Sequence, residues 1–136
     1  MPEHIFGDIP GFPPGSVFAT RLELARTGVH PPIRVGVSGT AASGAASIIL
    51  SGAYEDDEDA GDLIFYTGQG ARDRVTGRQA GDQLLRGSNL ALARSCDEHL
   101  PVRVIRGANP RSPYAPPAGY RYDGLYRIER RWRELG

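Results

Sequence analysis

The sequence predicts an α+β fold, in which a curved, barrel-like antiparallel sheet carries one or two short helices packed on it. A length of 136 residues is enough for one hydrophobic core and little more. The 18 glycines and 11 prolines divide the chain into short segments, which favours strands and loops over long helices. Most apolar segments alternate with a period of two residues, whereas one segment alone has a convincing helical pattern.

Alternation of apolar and polar residues predicts the strands. Between residues 17 and 25, Phe18, Leu22 and Leu24 alternate with Arg21 and Glu23, which is typical of a half-buried strand. Further strands are predicted at residues 33–38, 47–53, 62–67, 102–106 and 120–131.

The helix is predicted at residues 83–96, with a break near Gly87. After this break, Ser88 would cap the second part of the helix, because its hydroxyl can accept a hydrogen bond from a free amide of the next turn. Residues 110–119 contain four prolines and predict a long ordered loop rather than a domain boundary. We therefore expect one domain over residues 1–136.

Composition excludes several classes of protein. No apolar run approaches the roughly 20 residues that cross a bilayer, and the first residues lack the basic and then apolar profile of a secretory signal. Cys96 is the single cysteine, so the chain forms neither an internal disulfide nor a multi-cysteine metal site. These observations predict a cytoplasmic or nucleoid-associated protein that does not contact a membrane.

The net charge of zero hides an uneven distribution of charge. Residues 1–70 hold three arginines and nine acidic residues, whereas residues 71–136 hold thirteen arginines and seven acidic residues. The chain has no lysine, and the arginine fork binds phosphate groups and guanine edges through two hydrogen bonds. The arginines fit either a nucleic-acid surface or the codon usage of a GC-rich genome, and charge alone does not decide between them.

The segment 51–73 carries the most informative chemistry. Tyr54 ends one predicted strand and Tyr66 ends the next, with an acidic turn between them. Two tyrosines at neighbouring strand ends can hold a flat heterocycle, because stacking on an aromatic ring stabilises a base by about 1–3 kcal/mol. An ionised Asp57 can only accept hydrogen bonds, so it favours a base edge that donates, such as the amino group of cytosine.

This segment also has other interpretations. The tyrosines could be core residues, and the acidic run could be a solvated turn. The glycine loop after Thr67 lacks the Lys and Ser/Thr of a phosphate-binding loop. The carboxylates match no calcium loop, and His4, His30 and His99 are scattered, so we expect no metal, no cofactor and no catalytic residues.

A series of ordered motifs is similar to the SET- and RING-associated domain, also called the YDG domain. The motifs cover nearly the whole chain: PGFPPG at 10–15, GVHP at 28–31, GAYEDD at 52–57, YTG at 66–68 with RD at 72–73, DQ at 82–83, NLALA at 89–93, PVRV at 101–104, YAP at 114–116 and RYDG at 121–124 with Tyr126. The resemblance implies a domain that binds methylated cytosine in double-stranded DNA by base flipping. Among bacterial proteins, domains of this family are commonly joined to an HNH nuclease.

The resemblance implies a pocket for the flipped base. Tyr54 and Tyr66 resemble its two aromatic walls, Asp57 the acceptor for the cytosine amino group, and Thr67 the residue that holds the pyrimidine edge. Gln69 stands where vertebrate readers of hemimethylated DNA have a small residue against the methyl group. Both 5-methylcytosine and 5-hydroxymethylcytosine therefore remain candidate bases.

The resemblance also implies DNA contacts by four arginines. Arg34 aligns with a thumb that enters the minor groove, and a plain phosphate contact is the open alternative. Arg74 and Arg78 lie on a finger loop for the major groove, and Arg72 belongs to the motif before it. The finger is shorter than in the vertebrate readers, so the preference for hemimodified or fully modified sites stays open.

We expect this chain to be the specificity module of a modification-dependent HNH restriction endonuclease in a bacterial cell. The chain ends soon after residues 121–124, where the family normally adds a strand, so we expect a longer parent protein with a nuclease domain downstream, and a homodimer in that parent. A reader that recruits another protein is the second interpretation. A small base-modifying enzyme that uses Asp57 as a general base is the third, although the chain lacks the ligand set of the zinc deaminases.

Overall fold

The computed structural model describes residues 5–40, 42–50, 58–59, 61, 64–65 and 88–128. Seven strands and two helices lie in this part of the chain. In chain order they are β1 (Val17–Phe18), α1 (Arg21–Thr27), β2 (Val37–Thr40), β3 (Gly44–Leu50), β4 (Glu58–Asp59), β5 (Ile64–Phe65), α2 (Ser88–Asp97), β6 (Pro101–Gly107) and β7 (Tyr120–Arg127).

Five of the strands form one sheet in the order β1-β7-β6-β3-β2. Neighbouring strands are antiparallel except β3 and β6, which are parallel. The prediction of a purely antiparallel, barrel-like sheet is therefore wrong, because the described sheet is mixed and open, with β1 and β2 at its edges. A parallel pair needs a long crossover connection, and the chain between β3 and β6 contains the β4–β5 pair and α2.

The first helix replaces most of the strand predicted at residues 17–25. The Thr20 hydroxyl accepts a hydrogen bond from the Glu23 amide at 3.2 Å, and the Glu23 carboxylate accepts one from the Ala19 amide at 2.8 Å. Gly28 ends the helix with a φ of 84° and donates its amide to Ala25. The bond to Thr20 satisfies an amide that a helix start leaves free, and the bond to Glu23 fixes the residue before the cap; together they outweigh the alternating pattern.

The other predicted elements are confirmed with shifted bounds. The predicted strand at residues 33–38 begins later and forms β2, and the strand at 47–53 begins earlier and forms β3. Helix α2 covers the predicted helix from Ser88 onward, whereas residues 83–87, with the predicted break, lie outside the described residues, and the capping role of Ser88 stays a prediction. The prolines of residues 110–119 lie in a loop between β6 and β7, as predicted. The two-residue strand β4 was not predicted, because its residues belong to the acidic run.

Hydrophobic residues pack on both faces of the sheet. One cluster lies on the side of α1 and contains Ile9, Phe18, Leu24, Val29, Ile49, Ile105 and Tyr122. The other lies on the side of α2 and contains Val37, Ala45, Ile48, Ala91, Val102 and Val104, with Ile64 of β5 and Tyr126 of β7 packed against it. Every residue of β3 is buried, which is typical of a central strand that is covered on both faces.

Candidate nucleic-acid interface

Most predicted site residues lie outside the described part of the chain. These are the pocket residues Tyr54, Asp57, Tyr66, Thr67 and Gln69 and the arginines Arg72, Arg74 and Arg78. Arg34 is described. Strand β3, which precedes the pocket residues in sequence, and strands β4 and β5, which lie between them, are described as well. The geometry of these flanking elements is what the structure contributes to the site.

The β2–β3 hairpin brings two of these regions to one end of the sheet. Val37, at the start of β2, pairs with Ile48, near the end of β3. The segment with Arg34 therefore enters the sheet at the same end at which β3 leaves it, at Leu50. In sequence, β3 is followed by the segment that contains Tyr54 and Asp57.

Strands β4 and β5 form a short antiparallel ribbon. Glu58 pairs with Phe65 and Asp59 with Ile64, and the Ile64 side chain packs against the core cluster on the α2 side. In the sequence, Asp57 immediately precedes Glu58, and Tyr66 immediately follows Phe65. The predicted pocket residues Asp57 and Tyr66 thus flank the ribbon in sequence. Their direct neighbours in the chain are paired with each other.

Arg106 of β6 connects this ribbon to the large sheet. Its Nε donates to Asp59 Oδ2 at 2.6 Å, and its Nη2 donates to Asp59 Oδ1 at 2.7 Å. Its Nη1 donates to Asp123 Oδ2 of β7 at 2.9 Å. The side chains of Arg106, Asp59 and Asp123 are only 6%, 11% and 11% exposed. Burial alone would lower the pKa of Arg106, but its hydrogen bonds to the two carboxylates outweigh burial and raise the pKa above its ordinary value.

Two tyrosines complete the contacts around Arg106. The Tyr126 hydroxyl donates to the Gly61 carbonyl at 2.6 Å, and Arg106 Nη2 donates to the same carbonyl at 2.9 Å. The Arg106 guanidinium carbon lies 5.6 Å from the centre of the Tyr114 ring and 6.0 Å from that of Tyr126, within the range of cation–π attraction. Gly61, between β4 and β5, is therefore held against the sheet and the 108–119 loop.

Arg34 lies on an exposed segment between α1 and β2. Its neighbours Ile33 and Val35 are 54% and 40% exposed, although both are apolar. The side chains of all three residues are therefore open to solvent, and the choice between a minor-groove thumb and a plain phosphate contact for Arg34 stays a prediction.

Two side chains that the sequence interpretation missed hold this segment in place. Arg21 Nη2 donates to the carbonyls of Pro32 at 2.9 Å and Val35 at 2.6 Å. His30 is fully buried and bonds the Val35 carbonyl through Nε2 at 3.0 Å and the Ser47 hydroxyl through Nδ1 at 2.7 Å. Carbonyls on both sides of Arg34 are thus fixed. The GVHP motif contained His30, but nothing local in the sequence indicated its partners.

The bonding of His30 determines its protonation. A carbonyl can only accept, so Nε2 carries the proton and Nδ1 accepts from the Ser47 hydroxyl in the neutral ring. Burial, together with the positive charges of Arg21 and Arg103, lowers the pKa of His30 to about 4 against the opposing hydrogen bond to the Val35 carbonyl. His30 is therefore a neutral structural residue at physiological pH.

A second buried arginine, Arg103, lies on the same strand as Arg106 and binds different groups. Its Nε donates to the Val29 carbonyl at 2.9 Å, and its Nη1 donates to the carbonyls of Ile5 at 2.5 Å and Gly7 at 2.8 Å. Burial lowers its pKa. Arg103 thus fixes the N-terminal segment on the α1 side, whereas Arg106 fixes the ribbon.

Two negative findings concern only the described ranges between residues 5 and 128. No group of three or more His, Cys, Asp and Glu residues there could hold a metal ion. No helix among the same residues is long and apolar enough to span a membrane.

Solved structures of known proteins share this architecture. The modification-dependent TagI restriction endonuclease matches with a TM-score of 0.81 and 51% identity, over 92% of this chain and 44% of that chain. The SRA domain of SUVH5 in complex with hemimethylated CG DNA matches with a TM-score of 0.78 and 39% identity, over 97% of this chain and 84% of that chain.

Curated relatives and a family model agree with these likenesses. The UHRF1-like protein of Cryptococcus neoformans is 46% identical over 143 residues, which cover 96% of this chain and 42% of the relative. The E3 ubiquitin-protein ligase ORTHRUS 5 of Arabidopsis thaliana is 44% identical over 151 residues, which cover all of this chain and 24% of the relative. The chain thus spans less than half the length of these relatives. The model of the SAD/SRA domain matches residues 5–136, and the chain belongs to the SAD/SRA domain family.

Proposed function

We propose that this chain binds double-stranded DNA that contains 5-modified cytosine and holds the modified base, flipped out of the helix, in a pocket of its own. The observation that carries the proposal is the anchored β4–β5 ribbon, whose ends lead directly to Asp57 and Tyr66. Family membership supports it, since the SUVH5 SRA domain has been solved with methylated CG DNA and KRYPTONITE with methylated CHG DNA.

The roles of the pocket residues follow from their chemistry. Tyr54 and Tyr66 stack on the two faces of the base, Asp57 accepts from the cytosine amino group, and Thr67 binds the pyrimidine edge. Extrusion of a base costs a few kcal/mol, and stacking contributes about 1–3 kcal/mol per base. Stacking and hydrogen bonds together are therefore large enough to hold the base outside the helix without an energy source.

Selectivity for the modified base is expected to be modest. Burial of one methyl group stabilises the complex by about 0.8 kcal/mol, and a well-shaped pocket adds to this. A discrimination of about tenfold between modified and plain cytosine corresponds to 1.4 kcal/mol. Gln69 lies beside the base in this proposal and sets which 5-substituent is accepted. The hydroxymethylated DNA complex of the SUVH5 SRA domain keeps 5-hydroxymethylcytosine among the candidates.

Arginines supply most of the affinity in this proposal. Arg34 enters the minor groove, and Arg72, Arg74 and Arg78 contact the DNA from the loop after the pocket. Contacts to phosphate release counterions, so affinity falls steeply with salt concentration.

The parent protein is proposed to be a modification-dependent restriction endonuclease, in which cleavage comes from an HNH domain downstream and this chain is not catalytic. The likeness to the TagI restriction endonuclease supports the restriction role, whereas the HNH domain and a bacterial, nucleoid-associated location stay predictions. A reader that recruits another protein is the second candidate, and the UHRF1-like and ORTHRUS relatives favour it. A homodimer of the parent stays a prediction without support.

Equilibrium binding to three matched duplexes tests the proposal. The duplexes carry cytosine, 5-methylcytosine or 5-hydroxymethylcytosine at one position, and the salt concentration is fixed. We expect about tenfold tighter binding to at least one modified duplex, and we expect Tyr66→Ala and Asp57→Ala to remove that preference while they leave binding to the plain duplex nearly unchanged. Equal affinity of the wild type for all three duplexes would refute the proposal.

A further inference from the structure

We infer that Arg106 is a positioning residue for recognition of the modified base, because it fixes the β4–β5 ribbon in one orientation on the large sheet. The inference rests on the proposed function, since it assigns the ribbon the task of placing Asp57 and Tyr66. Arg106 itself need not touch DNA. Its side chain is 6% exposed, and its described partners are protein groups.

The ribbon is too short to hold its own orientation. Each of its strands has two residues, and an isolated two-stranded hairpin is marginal even when it is longer. In the described part of the chain, it is attached by the packing of Ile64, by the contacts at Gly61 and by the ion pair between Asp59 and Arg106. The ion pair is the directional attachment, because apolar packing permits sliding and a bidentate bond does not.

The guanidinium of Arg106, which lies on β6, binds both the ribbon and β7. Two of its nitrogens bind both oxygens of Asp59 on the ribbon, and the third binds Asp123 on β7. A planar fork with five donors fixes the angle between its acceptors, whereas a lysine ammonium acts as a point charge. The positions of Asp59 and Asp123 relative to each other are thus set by one rigid group.

The surroundings keep this group in a single position. Arg121 donates to Asp123 through Nε at 2.5 Å and through Nη2 at 3.0 Å, so that the carboxylate cannot rotate away from Arg106. Arg121 also donates to the Tyr114 carbonyl. The Tyr114 ring packs on Gly61 so closely that a Cβ at Gly61 would lie 2.9 Å from Tyr114 Cε1.

These contacts hold the turn of the ribbon, which is the end opposite to Glu58 and Phe65. A small rotation about the turn displaces the far end, where the chain continues to Asp57 and Tyr66. Discrimination between similar bases depends on the placement of pocket groups, whereas attraction to phosphate does not. Loosening of the Arg106 contacts is therefore expected to lower selectivity while nonspecific affinity is retained.

The test compares two conservative replacements of buried arginines on one strand. Arg106→Lys keeps the charge and removes the bidentate fork, and Arg103→Lys makes the same change where the partners are carbonyls of the N-terminal segment. Affinities for modified and plain duplexes are measured at fixed salt, below the unfolding temperature of each variant. We expect Arg106→Lys to lower the ratio of the two affinities at least threefold, with plain-duplex affinity within twofold of wild type. Arg103→Lys is expected to keep the wild-type ratio.

If Arg106→Lys does not fold, the ratio of the two affinities is measured with Asp59→Asn instead. This replacement retains an acceptor for Arg106 and removes the charge, and it is expected to lower the ratio in the same direction. A wild-type ratio in folded Arg106→Lys, or in Asp59→Asn if only that variant folds, overturns the inference and leaves the proposed function intact. An equal loss of the ratio in Arg103→Lys also overturns it, because the effect is then general destabilisation. If the wild type shows no preference for a modified duplex over the plain one, both the inference and the proposed function are refuted.

Discussion

Buried polar residues hold loops in place in this domain. The buried residues His30, Arg103 and Arg106 all bond backbone carbonyls of loop segments, and the half-buried Arg21 does the same. A buried polar group is tolerated when it is hydrogen-bonded, and its removal leaves the partner groups without a bond. The arginine-rich second half of the sequence is therefore not all DNA-binding surface, since Arg103 and Arg106 are buried among protein groups.

His30 makes the stability of the fold depend on pH. Its pKa is about 4 in the folded chain and 6.5 in the unfolded chain, so the unfolded chain binds more protons between these values. The contribution is fully present above pH 6.5 and is lost as the pH falls through 4. It corresponds to about 3 kcal/mol between pH 7 and pH 4.

Urea unfolding at a series of pH values checks this dependence. The free energy of unfolding of the wild type is expected to fall between pH 7 and pH 4 by about 3 kcal/mol more than that of His30→Gln, which has no group to titrate at this position. Parallel curves for the two proteins would show that His30 does not titrate as its burial requires.

Among the helices and strands, those with a clear local pattern were mostly predicted, and the pairing that depends on distant contacts was not. Helix α2 and strands β6 and β7 follow from their patterns, because packing agrees with local preference there. Helix α1 was missed although its capping box, from Thr20 to Glu23, was legible in the sequence. The parallel pairing of β3 with β6 was not predicted, because a short run without alternation, such as that of β3, fits a buried strand of a parallel sheet and of a sandwich core alike.

Ser95 joins α2 to the sheet and gives a test at the same scale. Its buried hydroxyl accepts from the Ala45 amide at 2.8 Å and donates to the Ala45 carbonyl at 2.8 Å, close to a bulge between β2 and β3. Ser95→Ala removes both bonds and is expected to lower the free energy of unfolding by about 1–3 kcal/mol.

Chemical denaturation measures the effect of Ser95→Ala, and Ser43→Ala is the control. Ser43 also bonds through its hydroxyl, to Thr40, but that pair is exposed, and its loss is expected to cost less than about 0.5 kcal/mol. Equal effects of the two replacements would mean that Ser95 does not hold α2 on β3.

In the molecule as a whole, one mixed sheet carries both candidate DNA-contacting regions, which are the segment with Arg34 and the segment that follows β3. The segment with Arg34 enters β2, and the chain leaves β3 toward the pocket residues at the same end of this hairpin. The ribbon then returns to the sheet through Arg106. Strand-end chemistry in the sequence pointed to Tyr54, Asp57 and Tyr66, and the family motifs added Thr67 and Gln69; all five lie outside the described part. The sequence could not predict the partner of Arg106, because Asp59 lies 47 residues away in the chain.

The central claim is that the modified cytosine leaves the helix when this chain binds. A duplex with the fluorescent base 2-aminopurine directly beside the modified cytosine reports this step, because the fluorescence of that base is quenched while it is stacked. At saturating protein we expect a rise in fluorescence with the modified duplex, and a clearly smaller rise with Tyr66→Ala, which removes one proposed wall of the pocket. Unchanged fluorescence of a modified duplex that is fully bound would contradict base flipping and, with it, the account of the pocket.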